Sequence, residues 1–341
     1  MLAIRLEPGG ELRTCEEPVP DPRPDEALVR VGAVGLCGSD RHWVVDGGTG
    51  DGVLDRPLVL GHEFAGTVES GSHRGRLVAV DPAVHCDVCE PCRSGAPNLC
   101  VRVAFAGHGR TDGALRELVA WPERNLHPLS DAIDVTDGAL VEPLAVALYA
   151  VELAGGVRDA TVGIVGCGPI GLLLAAVARA AGASAVIATD PLRHRLNAAN
   201  EQGATTTVEA TPARGEREVI LGATGGRGVD IAFDASGEAA AVETAVHIAR
   251  PGGEVVLVGI PPDDRTSFRA SVARRKGLTL KLSRRSTPDS FQRAVAVAEA
   301  GTIDLGRLVT HRVPLRHADR AFDALVRQEG IKILVEPGGA A

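Results

Sequence analysis

A glycine-rich turn between an apolar strand and an apolar helix constrains the fold of this chain more than any other feature. The stretch TVGIVGCGPIGLLLAAVARAAG places Gly166, Gly168 and Gly171 at the spacing G-x-G-x-x-G. The first glycine allows a tight turn, the second lets the backbone approach a pyrophosphate, and the third lets the helix pack closely on the strand. The start of the helix, which includes Pro169 and Ile170, faces the anion. The stretch therefore predicts a dinucleotide-binding turn.

The pattern of apolar and polar residues around this turn predicts two domains. From about residue 146, short apolar runs alternate with Ala-rich helical stretches, which is typical of a parallel, doubly wound sheet in an α/β fold. Before residue 145, short alternating segments broken by Gly and Pro predict a β-rich, barrel-like unit. After residue 286 the chain has two helical stretches and the closing segment IKILVEP. We expect residues 146–285 to form one domain, inserted between residues 1–145 and 286–341 of the other.

An acidic residue after the second strand bears on the choice of dinucleotide. Asp190 lies nineteen residues after Gly171, where a carboxylate can accept hydrogen bonds from the adenosine ribose and repel a 2′-phosphate. This favours NAD, although Arg193 and Arg195 leave NADP open. Arg195 is also predicted to bind the cofactor. The alternative role for Asp190 is an N-cap before Pro191. The turn that closes a later strand is predicted to line the nicotinamide end, and it consists of Val258, Gly259 and Ile260.

Charge and hydropathy exclude several classes of protein. The net charge is −8 at pH 7 and only three of the basic residues are lysines, which argues against a nucleic-acid-binding surface. No apolar run approaches the roughly 20 residues that span a bilayer, and the start, MLAIRLEPGG, lacks the apolar core of a signal peptide. We therefore expect a cytoplasmic globular protein that binds neither nucleic acid nor membrane.

Four cysteines within fifteen residues, in the stretch HCDVCEPCRSGAPNLC, predict a structural zinc site. Cys86, Cys89, Cys92 and Cys100 have the spacing C-x2-C-x2-C-x7-C. Disulfides rarely persist in a reducing compartment, and four thiolates close the tetrahedral shell of Zn²⁺. Such an ion would hold a loop and take no part in chemistry. The alternative is a set of unrelated buried thiols.

Two further stretches of the β-rich part carry candidate residues of a second, catalytic metal site. GLCGSDRHW contains Cys37, Ser39, Asp40 and His42, and LGHEFAG contains His62 and Glu63. A cysteine, a histidine and a carboxylate are a catalytic type of zinc shell, because three protein ligands leave one position for water or substrate. Adjacent residues of an extended strand point to opposite faces, so His62 and Glu63 can reach one ion only if the backbone bends there.

Over essentially its whole length the sequence resembles the zinc-dependent medium-chain alcohol and polyol dehydrogenases. The matching motifs are Cys37-Gly-Ser-Asp, Gly61-His-Glu with Gly66, the four-cysteine segment, EPLAVAL from residue 142, and the glycine turn. Glu142-Pro-Leu is most similar to the sorbitol, threonine and cyclitol dehydrogenase branch. The resemblance implies a GroES-like catalytic domain (1–145 and 286–341) and a Rossmann NAD-binding domain (146–285), with the active site in the cleft.

The resemblance also implies the roles of the metal ligands. Cys37 and His62 would bind the catalytic zinc, and Glu63 or Glu142, directly or through water, would complete its shell; the two carboxylates are not ranked. For Glu142 the alternative is a carboxylate at a helix start before Pro143. Asp40 is expected to orient a ligand, not to bind zinc.

In the mechanism implied by the resemblance, zinc lowers the pKa of a substrate hydroxyl and hydride passes to the nicotinamide. Ser39 would accept the proton and His42 would pass it towards solvent. The alternative for these two residues is a capping serine and a surface histidine. The remaining histidines belong to no ligand set and are predicted to lie at the surface, among them His85, His127, His194, His247 and His311.

The substrate prediction is a polar alcohol. Aromatic residues make up only 3% of the chain, and Trp43, Arg110 and Arg285 are candidate substrate contacts. These features suit a sugar alcohol, a sugar or a cyclitol oxidised at a secondary hydroxyl, with a threonine-type or simple secondary-alcohol dehydrogenase as the alternative. A non-enzymatic nucleotide-binding protein is disfavoured because the catalytic ligands are present. The resemblance implies a homo-oligomer, a tetramer in preference to a dimer.

Overall fold

The structure is a computed structural model that describes residues 1–50, 52–211, 215–262 and 264–338. The chain divides into two compact units. The first consists of Met1–Ala145 and Ser286–Ala341, and the second of Val146–Arg285.

The first stretch of the first unit is rich in short strands. Its elements are β1 (Leu2–Leu6), β2 (Leu12–Glu16), β3 (Glu26–Gly35), α1 (Gly38–Val45), β4 (Gly48–Thr49), β5 (Gly52–Val53), β6 (Leu58–Val59), β7 (Glu63–Val68), β8 (Leu77–Val80), β9 (Ala83–Val84), α2 (Glu90–Arg93), β10 (Ala104–Phe105), β11 (Leu118–Pro122), β12 (Leu126–Pro128) and α3 (Val135–Leu153), whose last residues are counted with the second unit.

The second unit alternates strands and helices. Its elements are β13 (Thr161–Val165), α4 (Pro169–Ala180), β14 (Ala185–Asp190), α5 (Arg193–Glu201), β15 (Thr206–Glu209), α6 (Glu216–Ala223), β16 (Val229–Asp234), α7 (Ala239–Ile248), β17 (Ala249–Leu257), α8 (Ala270–Lys276) and β18 (Thr279–Leu282). The chain then returns to the first unit with α9 (Pro288–Glu299), β19 (Val309–Pro314), α10 (Ala318–Val326) and β20 (Lys332–Glu336).

The main sheet of the first unit brings distant parts of the sequence together. Its strand order is β12-β8-β7-β3-β20-β19, and β11 also pairs with β3. β3 is the ten-residue strand EALVRVGAVG, whose inward positions are buried among apolar side chains. The last strand of the chain, β20, pairs antiparallel with the end of β3, so that Leu334 lies opposite Gly35. This pairing sets residues near the C-terminus beside residues 35 to 37.

The sheet of the second unit is parallel, with strand order β15-β14-β13-β16-β17-β18. The strand order reverses between β14 and β16, on either side of β13, which is where ligands bind in open α/β sheets. The residues of α4 from Gly171 to Ala178 are buried, because Leu and Ala cover its surface. The predicted α/β fold with a doubly wound sheet is confirmed.

One alternative and one expectation about local structure are wrong. Glu142 does not begin a helix, since α3 begins at Val135 and Pro143 lies in its interior. The histidines are not uniformly at the surface, because His85 is buried and His127 packs against Phe291 with 4.7 Å between ring centroids. Among the described residues, none of the helices combines the length and the apolar composition needed to cross a bilayer.

Candidate active site

Two adjacent strands of the first unit bring three metal-binding side chains together. Cys37 follows the end of β3 and is the N-cap of α1, and Glu63 begins β7, where it pairs with Gly35. The sulfur of Cys37, a ring nitrogen of His62 and a carboxylate oxygen of Glu63 all lie within 4.8 Å of one another. One soft sulfur, one imidazole nitrogen and one carboxylate oxygen are a donor set that fits zinc with an open position.

Two glycines make room for this cluster. A side chain at Gly35 would collide with the carboxylate of Glu63. Gly61 has a φ of +93°, and a Cβ there would lie 2.7 Å from Cγ1 of Val34. His62 therefore lies between a left-handed glycine and the first residue of β7, outside the regular strand. This is the backbone bend that the sequence required for His62 and Glu63 to approach one point.

The carboxylate of Asp40 contacts both Cys37 and His62. It is fully buried, and its Oδ2 accepts a hydrogen bond from the backbone N–H of Cys37 at 2.9 Å. Its Oδ1 lies 3.6 Å from Nδ1 of His62. Burial lowers the pKa of His62, but the charge of Asp40 and the hydrogen bonds with Asp40 and Cys37 outweigh burial, and the pKa stands well above its usual value. Because Asp40 lies next to Nδ1, Nε2 is the ring nitrogen that a metal ion would use.

Lys332 is a member of the site that the sequence reasoning missed. Its side chain is 1% exposed, and its Nζ donates to Oε2 of Glu63 at 2.5 Å and to the carbonyl of Leu36 at 3.0 Å. Burial lowers the pKa of Lys332, and the charges of Glu63 and Cys37 raise it by more. The sequence feature that could have identified Lys332 is a lysine inside the apolar strand KILVE, in a chain that has only three lysines.

Glu142 lies near the three-donor cluster but is not a member of it. It is buried on α3, and its pKa is raised to about 7, because the increase caused by burial and by the charge of Glu63 exceeds the decrease caused by His62 and Lys332. Asp81, which also contributes to this pKa, is itself buried, and burial raises its own pKa to about 6. The two carboxylates named from the sequence therefore differ in position: Glu63 is in the cluster and Glu142 is beside it.

The two predicted relay residues lie on α1. Ser39 is in the first turn of this helix and His42 is three residues later, so that both occupy one face. His42 is mostly buried, and its Nδ1 lies 2.7 Å from Oδ2 of Asp46, a more exposed residue at the end of the same helix. This contact leads from the interior towards solvent.

The cysteine segment places its four sulfurs around one point. The donor sulfurs of Cys86, Cys89, Cys92 and Cys100 lie within 4.8 Å of one another. The sulfur of Cys89 is 3.3 Å from that of Cys92 and 3.8 Å from that of Cys100, distances too long for disulfide bonds. All seven cysteines of the chain are free thiols.

Thiolate chemistry at this second cluster fits a metal. The backbone N–H of Val88 is the main cause that lowers the pKa of Cys86 to about 6. The pKa of Cys92 is raised to about 12, first by burial and then by hydrogen bonds with the sulfurs of Cys89 and Cys100. Four converging sulfurs fit the closed shell of a structural zinc ion.

The glycine turn of the second unit has the backbone that its sequence predicts. Gly166 has a φ of +98°, and a side chain at Gly171 would collide with the carbonyl of Gly166. At Gly168, the N-cap of α4, an added Cβ would meet no atom within 4 Å. The first and third glycines are therefore required by packing, whereas the second faces open space. Pro169 and Ile170 are the first residues of α4.

Asp190 is buried at the C-terminal end of β14 and bonds with the glycine turn. Its Oδ2 accepts from the backbone N–H of Cys167 and its Oδ1 from that of Leu192, both at 2.8 Å. Leu192, not Asp190, is the N-cap residue of α5, so the alternative role of Asp190 as an N-cap is wrong. Nη1 of Arg195 lies 3.9 Å from Asp190. The backbone N–H groups of Val258 and Gly259 donate to the carbonyl of Asp234, which fixes the turn that also contains Ile260.

The three predicted substrate contacts are not brought together within one unit. Trp43 is 1% exposed and belongs to the core of the first unit, because α1 turns it inward, so a direct substrate contact is not supported. Arg110 is exposed and pairs with Asp55 at 3.1 Å. Arg285 belongs to the second unit and has a φ of +56°.

The aromatic ring of Phe105, next to the three-donor cluster, was also missed. The ring of Phe105 lies 5.4 Å from that of His62, and His108 lies 6.4 Å from Phe105 and 5.1 Å from Trp43. A turn between Gly107 and Gly109, both at positive φ, presents His108.

Family models match both parts of the chain. Residues 23–131 match the alcohol dehydrogenase GroES-like domain. Residues 169–300 match the zinc-binding dehydrogenase model.

Whole-length relatives agree with these matches. D-xylulose reductase A of Aspergillus niger is 37% identical over 344 residues, which cover 98% of this chain and 96% of that protein. Among solved structures, L-idonate 5-dehydrogenase of Escherichia coli has a TM-score of 0.91 at 26% identity, covering 98% of this chain and 97% of the other.

Two further solved structures contain different dinucleotides. A zinc-binding dehydrogenase of Sinorhizobium meliloti bound to NADP has a TM-score of 0.89 at 32% identity, and covers 98% of this chain and 99% of its own. A short chain alcohol dehydrogenase of Escherichia coli complexed with NADH has a TM-score of 0.89 at 26% identity, with the same coverage.

Proposed function

This chain belongs to the zinc-dependent medium-chain alcohol and polyol dehydrogenase family, and we propose that it transfers a hydride between NAD and a secondary hydroxyl group of a polyol, sugar or cyclitol. The observation that carries the proposal is the convergence of Cys37, His62 and Glu63 in the same chain as a glycine turn that fits a pyrophosphate. Three protein donors leave a coordination position for the alcohol.

The residues of the chain have separate roles in this proposal. A zinc ion held by Cys37, His62 and Glu63 would supply Lewis acidity towards the substrate hydroxyl, and a dinucleotide held at the glycine turn would supply the hydride acceptor. Asp40 holds the N-cap of α1 and the ring of His62, which keeps two ligands in place. Lys332 compensates the charge of Glu63 in a buried position. Glu142 lies beside the cluster as a second carboxylate, bound directly or through water.

We assign the proton path to α1. Ser39 accepts the proton that the alcohol loses, and His42 passes it on with its ring held by Asp46. The contact between His42 and Asp46 is the support for this assignment, because it links a mostly buried ring to a more exposed carboxylate.

We propose NAD as the cofactor and two zinc ions per chain, one catalytic and one structural. The support for NAD is the carboxylate of Asp190 at the end of β14, beside the glycine turn. The support for a structural ion is the four-thiol cluster of Cys86, Cys89, Cys92 and Cys100.

The substrate class is proposed from the relatives. D-xylulose reductase and L-idonate dehydrogenase act on sugars and sugar acids by their names, and polar groups such as Arg110 and Arg285 suit such substrates. A threonine or a simple secondary alcohol is the alternative, and the relatives do not favour it.

A homo-oligomer, with a tetramer favoured, and a cytoplasmic location complete the proposal. β18 is an edge strand of its sheet and exposes Leu282 at 75%, so a second copy could cover it. The free thiols of all seven cysteines suit a reducing compartment.

The test is a substrate panel with zinc-loaded enzyme and NAD, monitored by NADH formation. We expect the wild type to turn over polyols, sugar alcohols and cyclitols. In Cys37→Ser we expect this turnover to be lost, and elemental analysis should show one zinc ion per chain fewer than in the wild type. Cys15→Ser, on the exposed strand β2, is the matched control and should retain both. Turnover of threonine or simple alcohols with none of polyols would contradict the substrate assignment.

A further inference from the structure

Two carboxylates lie side by side where the adenosine ribose of a dinucleotide would bind. Asp190 is the last residue of β14, Glu209 is the last residue of β15, and the two are paired in the parallel register of these strands. Neighbouring strands are about 4.8 Å apart, so Glu209 is one strand spacing from the residue that receives the ribose hydroxyls.

The two arginines that could attract a 2′-phosphate are each associated with one of these carboxylates. Nη2 of Arg193 lies 3.1 Å from Oε2 of Glu209, and Nη1 of Arg195 lies 3.9 Å from Oδ2 of Asp190. Asp190 also accepts two backbone N–H bonds, so much of its charge is already compensated. Asp190 is therefore not the sole group that decides between the two dinucleotides.

We propose that Glu209 is a specificity-determining residue that selects against the 2′-phosphate of NADP. It does so in two ways: it adds a negative charge beside the phosphate position, and it holds Arg193 away from that position. The inference rests on the proposed function, because it assumes that the glycine turn binds the adenosine half of NAD next to Asp190. In this proposal Glu209 determines the choice of cofactor in addition to the glycine turn and Asp190 at the end of β14.

The exposure of the ion pair shows which of the two effects is larger. The side chain of Arg193 is 79% exposed, and ion pairs of exposed residues are weak, so a phosphate could readily draw Arg193 away. The side chain of Glu209 is more buried than that of Arg193, and its charge is less screened by water. The repulsion by Glu209 therefore persists even when Arg193 moves, and removal of the charge has a larger effect than removal of the arginine.

The experiment measures the dissociation constants of NADH and NADPH by titration calorimetry on full-length, zinc-loaded protein at low salt. In Glu209→Gln we expect the preference for NADH over NADPH to fall by about five- to tenfold, and the fall to shrink as salt is added. Glu209→Asp, which keeps the charge, should retain the preference. Glu209→Gln combined with Arg193→Ala should lose part of the gained NADPH affinity, because the released arginine is then absent.

Glu201→Gln is the matched control. Glu201 ends α5, eight residues and so about 12 Å from Arg193 along the helix, and its substitution removes the same charge from the same unit. It should leave the ratio of the two dissociation constants within about twofold of wild type. An unchanged ratio in Glu209→Gln, or an equal change in Glu201→Gln, would overturn the role of Glu209.

The failure of the proposed function has a different signature. Tighter binding of NADPH than of NADH by the wild type contradicts the NAD preference itself, whatever the Glu209 variants do. Circular dichroism and thermal unfolding of each variant identify a folding defect, and Glu209→Asp then decides the question, because loss of discrimination in a folded variant that keeps the charge would also contradict the inference.

Discussion

At the scale of single residues, the site depends on charges that are buried in pairs. Lys332 and Glu63 are each 1% exposed, and each is the nearest opposite charge of the other. Breaking a buried pair by removing one partner is more costly than removing both, because an uncompensated charge remains. Asp40 is also buried, and its charge is compensated by the N–H of Cys37 and the ring of His62.

In zinc-free protein, Lys332→Met is expected to lower the free energy of unfolding by about 3–5 kcal/mol, because the carboxylate of Glu63 is left buried without a cation. The double variant with Glu63→Gln should recover part of this loss. Lys281→Met is the control: Lys281 pairs with Glu254 in a partly exposed position, and its loss should cost about 0–1 kcal/mol. Urea unfolding measures the free energy of unfolding of all three variants. Equal losses in Lys332→Met and Lys281→Met would contradict the argument.

His127 should make the stability depend on pH. Burial lowers its pKa to about 4, whereas the unfolded chain has the ordinary value near 6.5. Above pH 6.5 both states are neutral and His127 contributes nothing. As the pH falls from 6.5 to 4 the unfolded state takes up a proton that the folded state resists, so the free energy of unfolding falls by about 2–3 kcal/mol.

His127→Leu should remove this part of the acid sensitivity and leave the apolar contact with Phe291 largely intact. His194→Leu, at an exposed position of α5, is the control and should keep the wild-type slope. Urea unfolding at pH 7, 5.5 and 4.5 gives the comparison. A His127→Leu profile parallel to that of the wild type would show that His127 is not responsible.

At the scale of elements, β13 and α4 meet at a turn whose glycines have different functions. Gly171 lies against the backbone of Gly166, so it determines how closely the helix packs on the strand. Gly168 contacts nothing that a methyl group would disturb, so we propose that its lack of a side chain serves the ligand. In this proposal the motif contains one residue for packing and one for binding.

Gly171→Ala should therefore lower the free energy of unfolding by about 1–3 kcal/mol, because the backbone of Gly166 must move. Gly168→Ala should leave stability unchanged or raise it slightly, but weaken NADH binding by about tenfold or more, because the methyl group occupies the space of the pyrophosphate. Thermal unfolding and NADH titration on both variants separate the two effects. Destabilisation by Gly168→Ala of the same size as by Gly171→Ala would contradict the division of roles.

At the scale of the whole molecule, metal and dinucleotide chemistry belong to different compact units. Both metal clusters lie in the unit Met1–Ala145 with Ser286–Ala341, and the glycine turn lies in Val146–Arg285. The cysteine segment has little core of its own, since Val88, Leu99 and Val101 are exposed and α2 has four residues. We therefore expect an ion to hold its shape.

Chelation of zinc should therefore raise hydrogen exchange in residues 85–100, whereas NADH should protect residues 161–190. A metal that holds a segment contributes its binding free energy to the folding of that segment, and a ligand stabilises the state that binds it, by about 2.7 kcal/mol at a hundredfold excess over its Kd. Mass-spectrometric hydrogen exchange resolves both segments. Protection of residues 85–100 that survives complete zinc removal would show that the cysteine segment is stable without metal.

Short-range patterns were sufficient for much of this protein. The glycine spacing predicted a strand, a turn and a helix, and alternation of apolar runs predicted the parallel sheet, since both depend on neighbours within one element. The residue types of Cys37, His62 and the four clustered cysteines indicated metal chemistry because few other roles combine these donors. The roles of the site residues and the identity of the dinucleotide stay predictions.

Only the tertiary structure decided which distant residues meet. Lys332 reaches Glu63 across 269 positions of the sequence because β20 pairs with β3, and β3 pairs with β7. Glu209 comes beside Asp190 because β15 pairs with β14 in one register. Trp43, placed near a substrate by its position in the sequence, is in the core because α1 turns it inward. Strand order and register are set by the packing of the whole chain, and no local pattern of residues specifies them.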